Sequence, residues 1–212
     1  MDISPKLCLD CGQEIGNDVD CRIQCCGKCI KKRKKLFREE NIISLMAGKG
    51  IPPKFLNIKT DKDISQFLTS GKGLYLWGPA GTGKTVMACS IARELILNGE
   101  DDIKFISSPK FIIQLQSSYR REDDPIDKIL ESVTCHKVLI IDDMGAEKLT
   151  DFVRQTFYYI INEREQWEKK TIITSNYSLD ELDEYIDGRI SSRIAGMCEI
   201  VKLDGKDRRV KV

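Results

Sequence analysis

The sequence predicts an α/β protein built on a doubly wound parallel sheet, with a small cysteine-rich module ahead of it. Three observations carry this. From residue 73 onward, short apolar runs alternate with longer stretches of helical periodicity, as parallel strands joined by crossover helices require. A glycine-rich loop, Gly78-Pro79-Ala80-Gly81-Thr82-Gly83-Lys84-Thr85, lies between the first such run and the first such helix. Six of the nine cysteines (Cys8, Cys11, Cys21, Cys25, Cys26 and Cys29) fall within the first thirty residues, which sets that segment apart from the remainder. A chain of 212 residues is one full domain with a small appendage on a prior of about 150 residues per domain.

Residues 1–35 contain few large apolar side chains and cannot bury a core of their own, so something else must fold them. In a reducing compartment, clustered cysteines point to metal ligation rather than disulfides. Cys8-x-x-Cys11 and Cys26-x-x-Cys29 form two ligand pairs of the zinc-binding kind, with Cys25 as an alternative to Cys26. Four thiolates leave no open position on Zn²⁺, so the site is expected to be structural. The cationic run Lys31-Lys32-Arg33-Lys34-Lys35 follows; it is either a phosphate-contacting segment or the solvated face of a connector helix. Residues 36–50 read as a linker that is partly helical, and the paired prolines of Gly50-Ile51-Pro52-Pro53 set an extended entry into the domain expected over 51–212.

Within that domain, strands are expected at 74–77, 103–106, 138–141, 172–174 and 200–203. Helical spacing of apolar residues marks 86–98 and 151–168, the latter through Phe152, Val153, Phe157, Ile160 and Ile161. The 78–85 loop matches the G-x-x-x-x-G-K-[ST] phosphate-binding pattern at every fixed position, in the strand-loop-helix setting that the pattern needs. Its glycines let backbone N–H groups converge on phosphate oxygens at a helix N-terminus. Lys84 is then placed for the β and γ phosphates of ATP, and the Thr85 hydroxyl for Mg²⁺. Val138 to Ile141 is an apolar strand ending in Asp142-Asp143, at the carboxyl edge where open α/β sheets bind ligands. Asp142 is expected on Mg²⁺ and Asp143 on the attacking water. Asn176 closes the next strand and can direct its amide to the same water or to the γ-phosphate. Arg189 and Arg193 are four residues apart on one helix face.

Taken together, GIPPKF (50–55), GPAGTGKT (78–85), LIIDDMGAE (139–147), TSNYSLDEL (174–182) and DGRISSRI (187–194) resemble the AAA+ ATPases of the DnaC/DnaI helicase-loader and IstB transposition-helper group. The resemblance runs from Gly50 to the end of the chain. It implies a five-stranded sheet of order 5-1-4-3-2 and a nucleotide held between neighbouring subunits of a homo-oligomer. Lys84 and Thr85 then belong to Walker A, Asp142 and Asp143 to Walker B, and Asn176 to sensor 1. Arg193 is the arginine finger, with Arg189 as second choice, and Ile51 and Pro52 line the adenine pocket. Only nine residues follow Leu203, too few for the helical lid of AAA+ motors, and Asp143 stands where many AAA+ proteins have Glu. A slow ATP-dependent switch is therefore expected rather than a fast motor.

The implied activity is ATP-dependent loading of a replicative DNA helicase in replication initiation. The helicase would dock on residues 1–35, and single-stranded DNA would bind near Lys110, Phe111 and Tyr119, with Phe111 reading at least as well as a core residue. The alternatives are an IstB-like transposition helper, or an ATP-gated adaptor with little hydrolysis. Composition narrows the field further. With 34 basic and 33 acidic residues the net charge is +1, which excludes a uniformly basic nucleic-acid-coating protein and an acidic disordered one. No apolar run reaches the ~18 residues of a membrane span. The N-terminus lacks a basic-then-apolar leader, so a cytoplasmic location is expected. His136 reads as non-catalytic, and Cys89, Cys135 and Cys198 as core thiols.

Overall fold

A computed structural model of the chain describes residues 7–15, 25–58, 67, 70–119 and 126–205. Five strands form one parallel sheet: β1 (Gly73–Trp77), β2 (Ile103–Ser107), β3 (Val138–Met144), β4 (Lys170–Ser175) and β5 (Cys198–Lys202). Their spatial order is β2-β3-β4-β1-β5, the order the family resemblance implies, read from the opposite edge. Every expected strand is present. The last one starts two residues earlier than the sequence suggests, because Cys198 pairs in register with Gly73.

The strand residues alternate between two buried cores, one on each face of the sheet. Leu74, Leu76, Val138, Ile140 and Ile172 face one core, and Tyr75, Leu139, Ile141 and Ile173 the other. Burial on both faces is why these strands read as continuous apolar runs. The first face is covered by α1 (Gly27–Gly48) and α2 (Lys84–Leu97), through Ile42 and Met46 of the former and Met87, Ala88, Ile91 and Ile96 of the latter. The second face is covered by α3 (Ser108–Tyr119), α4 (Ile126–Thr134), α5 (Asp151–Gln166), α6 (Leu179–Tyr185) and α7 (Gly188–Met197). Their starts follow local chemistry. Thr150 caps α5 by accepting from the Val153 amide, Ser178 and Glu181 form a capping box on α6, and Asp187 caps α7.

The segment read as a linker over 36–50 is the C-terminal part of α1, a single helix of 22 residues that begins inside the cysteine cluster. Arg38 joins it to the domain, with its guanidinium on both carboxylate oxygens of Asp101 at 2.5 and 2.7 Å and on the Ile96 carbonyl at 3.1 Å. Of the two readings of Phe111, DNA-stacking surface or core, its burial selects the core. The ring sits in the second core with Ile112 and Leu115, whereas Lys110 before it is exposed. The side chain of Tyr119 and the whole of Cys21 lie outside the described residues. Cys89 and Cys198 are buried thiols, as expected, but Cys135 is exposed at the end of α4 and is not a core thiol.

Candidate active site and metal centre

The 78–85 loop folds as its glycines permit. Gly78 has φ +142°, and a β-carbon there would stand 2.3 Å from the Leu203 carbonyl oxygen, so only glycine lets β1 turn past β5 at this point. Gly83 has φ +96° and opens α2 in the left-handed region. The outcome is a loop whose amides precede a helix N-terminus, a ready anion site. Lys84 reaches back across it. Its buried ammonium donates to the carbonyls of Gly78 at 2.7 Å and Pro79 at 2.9 Å, and to Asn176 Oδ1 at 2.8 Å. Lys84 and Asn176, ninety-two residues apart in sequence, are thereby joined directly.

Asp142 and Asp143 sit where β3 shifts register against β4, between Ile141 and Met144. The bulge turns the two side chains apart: Asp142 is buried and Asp143 is exposed, with φ +58°. Thr174 fixes both. Its hydroxyl donates to Asp142 Oδ1 at 2.8 Å and accepts from the Asp143 amide at 2.9 Å. Burial pushes the Asp142 carboxyl above the ordinary range, opposed by hydrogen bonds from Thr174 and Thr85. A desolvated carboxylate touching the Thr85 hydroxyl is a donor pair suited to Mg²⁺, which prefers hard oxygen ligands.

These groups line a cleft of about 410 Å³ whose walls include Gly81, Gly83, Lys84, Thr85, Asp142 and Asp143. Its remaining wall comes from Lys54 and Phe55, with the Lys54 ammonium 5.5 Å from the Phe55 ring centre. Ile51 and Pro52, expected to line the adenine pocket, are not among the residues that line this cleft. Ile51 is buried in the first core and Pro52 is half-buried, while Phe55 reaches the cleft on the short 3₁₀ turn Pro53–Phe55. Sequence reading stopped at the prolines. The signal it passed over was the aromatic residue that ends the GIPPKF motif.

Arg189 and Arg193 lie together on α7, away from this cleft. Their guanidinium carbons stand 4.8 and 4.9 Å from the Tyr158 ring centre on α5. Arg193 Nε also pairs with Glu165 at 3.1 Å and donates to Asn162 Oδ1 at 3.2 Å. Arg189 is held by Asp187 at 2.8 Å. Behind the catalytic edge, buried Glu147 accepts from the Ser108 hydroxyl at 2.7 Å and the Gly145 amide at 3.1 Å, bracing the turn that follows Asp143.

The cysteines converge as the spacing predicts. The sulfurs of Cys8, Cys11, Cys26 and Cys29 all lie within 4.8 Å of one another, and Cys11 and Cys26 are 3.6 Å apart. A tetrahedral zinc site with Zn–S bonds of about 2.3 Å has sulfurs about 3.8 Å apart, whereas a disulfide needs about 2.05 Å. Cys25 is buried beside the cluster but is not one of the four. The first pair sits on a tight turn in which Gly12, with φ +72°, donates to the Cys8 carbonyl at 2.9 Å. The Cys26 amide donates to Cys8 Sγ at 3.2 Å and holds that thiol down at about 6. Cys29, hydrogen-bonded to Cys11 and Cys26, is pushed well above the usual thiol range. Four crowded thiols oppose one another's ionisation unless a cation joins them, so the donor set fits Zn²⁺.

Fold and cleft together define a phosphate-loop nucleotide-binding protein of the AAA+ kind. The chain belongs to the IstB-like ATP-binding protein family, whose profile matches residues 51–212. Within that family it is an AAA+ ATPase of the DnaC/DnaI type. It is 34% identical over 165 residues to the replicative helicase loader DnaI of Bacillus subtilis, a match covering 69% of this chain and 52% of that protein. The chain thus spans about half the length of the curated relative it matches. Among solved structures, the DnaC helicase loader superposes with a TM-score of 0.57 at 26% identity, covering 82% of this chain and 91% of that one. A DnaI crystal structure shares the fold with a TM-score of 0.63 at 24% identity, covering 72% of this chain and 94% of the other. Among the described residues no helix is long and apolar enough to cross a membrane.

Proposed function

We propose that this chain is an ATP-dependent loader of a replicative DNA helicase, acting in the cytoplasm at replication initiation. The similarity to DnaI carries the assignment, because it joins the nucleotide site to a relative named for that activity. In this reading the amides of 78–85 and Lys84 hold the ATP phosphates, and Thr85 and Asp142 hold Mg²⁺. Bound there, the nucleotide and metal supply the scissile phosphoanhydride and neutralise its charge. Asp143, held by its backbone on Thr174, orients the attacking water, and Asn176 fixes Lys84 against the γ position.

Among the described residues no arginine lines this cleft, and Arg193 and Arg189 rest on Tyr158. Hydrolysis is accordingly slow in the monomer and speeds up when self-assembly on DNA brings Arg193 of a neighbour to the cleft. A zinc ion on Cys8, Cys11, Cys26 and Cys29 cross-links the N-terminal module, and residues 1–35 dock the helicase. Lys110 remains as a single-stranded DNA contact on the ATPase body. Its former companion Phe111 is withdrawn.

The test is co-purification with the replicative helicase of the same organism, using the full chain and a chain lacking residues 1–35. The loader reading requires a stable complex with the full chain that is lost on truncation. A transposase bound in place of the helicase would favour the transposition-helper alternative.

A further inference from the structure

The cationic run lies on a part of α1 that touches neither core. Residues 31–37 are all exposed, seven in succession, so the helix stands free between the cysteine cluster and its anchor at Arg38. No acidic residue occurs between 25 and 38. Arg33 pairs with Asp10 of the cysteine hairpin. Lys28, Lys31, Lys32, Lys34 and Lys35 enter no ion pair among the described residues. At 100° per residue, Lys28, Lys31, Lys32 and Lys35 form one stripe about 10 Å long.

On the opposite side of α1 from this stripe, a groove of about 530 Å³ is lined by Arg33, Lys34, Phe37, Arg38, Lys49 and Asp101. Its one carboxylate is occupied by Arg38. The Phe37 ring, 60% exposed, stands open on this cationic wall.

We infer that this part of α1 is a second nucleic-acid site, in which a single strand crosses the exposed helix from the lysine stripe by way of Lys34 and stacks a base on Phe37, the neighbour of Lys34 at i+3. A dense set of unpaired cations selects a polyanion, and an exposed ring among them selects one carrying flat apolar groups. An anionic membrane fits less well. Leu36 and Phe37 are the only apolar residues among 31–37, too few to give this part of α1 an apolar face to insert. The site is separate from the Lys110 contact proposed for the ATPase body and does not depend on helicase loading.

The test is fluorescence anisotropy of the full chain with a labelled thirty-nucleotide oligo(dT), without ATP, over a range of salt. Lys31→Gln, Lys32→Gln, Lys34→Gln and Lys35→Gln combined should weaken binding at least about tenfold and lower the salt slope by about 3, at about 0.7 per lost contact. Phe37→Ala should weaken it about tenfold with the slope unchanged. The four lysines replaced by arginine should restore binding, and Lys128→Gln on α4 should have no effect. Circular dichroism and zinc content confirm that each variant is folded. The inference is overturned if the wild-type chain does not bind the oligonucleotide, if the combined variant keeps its salt slope, or if phosphatidylserine vesicles bind in its place. Addition of ATP separates the two sites: binding that returns with ATP in the combined variant belongs to the ATPase body and leaves the loader reading intact.

Discussion

The Lys84 ammonium donates to Asn176 Oδ1 at 2.8 Å, so the lysine of the 78–85 loop is tied to the residue that follows β4. Because β4 lies between β1 and β3, the same strand also holds Asp142 and Asp143 through Thr174. A change in phosphate occupancy at Lys84 is therefore felt first at β4. Asn176→Ala should lower turnover on the order of a hundredfold and change nucleotide affinity far less. Steady-state hydrolysis beside equilibrium nucleotide binding separates the two; a loss confined to affinity would remove Asn176 from the catalytic set.

Burial raises the Asp142 carboxyl above its ordinary range. A raised folded-state value means that the folded protein holds this proton more tightly than the unfolded chain does. Its contribution favours folding at low pH and is lost as pH rises through the folded value. Asp142→Asn should thus raise the melting temperature at pH 7 while abolishing Mg²⁺-dependent hydrolysis. In the unmutated protein, Mg²⁺ affinity should begin to fall at a higher pH than an ordinary aspartate would give. Calorimetric melts and Mg²⁺ titrations at several pH values check both.

Arg164 is fully buried on α5 and donates to Thr171 Oγ1 and to the carbonyls of Thr134, His136, Lys137 and Lys170. Burial brings its guanidinium down to about 10, so it stays charged at neutral pH. It closes the end of α4 against the starts of β3 and β4. Arg164→Ala leaves those carbonyls without this donor and should cost about 3–5 kcal/mol, measured by urea denaturation.

Much of this was legible in advance, for identifiable reasons. Doubly buried strands show as apolar runs, and the 78–85 loop and Asp142 show as motifs because phosphate chemistry needs those residues at that spacing. Other features were not legible, because they arise from contacts across space. Arg164 looks like any surface cation on a helix until Thr134 and Lys170 are folded onto it. Tyr158 gains its role only where α7 lays two arginines over its ring. The free-standing part of α1 has no apolar stripe, so it could not be told from a linker. Phe111 stayed open between stacking surface and core until its contacts were known, because an apolar residue beside a functional one reads equally well as either.

The zinc set makes a further prediction. Cys26→Ser should abolish stoichiometric zinc, whereas Cys25→Ala should retain one ion per chain, both read by elemental analysis of purified protein. Loss of zinc in both variants would mean that the cluster is not the four-sulfur set described.

If Arg193 of one subunit serves its neighbour, Arg193→Ala should lower assembly-stimulated hydrolysis about 10³-fold with nucleotide binding preserved. Mixing it with Lys84→Ala subunits, themselves inactive, should restore part of the activity, because some interfaces then pair an intact phosphate loop with an intact arginine. Absence of any recovery would assign the arginine a structural role.

The most direct test is helicase loading itself. The cognate replicative helicase is given a closed circle of single-stranded DNA bearing a labelled annealed oligonucleotide, and strand release is followed with ATP. Release should require this chain and should disappear with Lys84→Ala. Equal release without the chain, or full release with Lys84→Ala, would contradict an ATP-dependent loader.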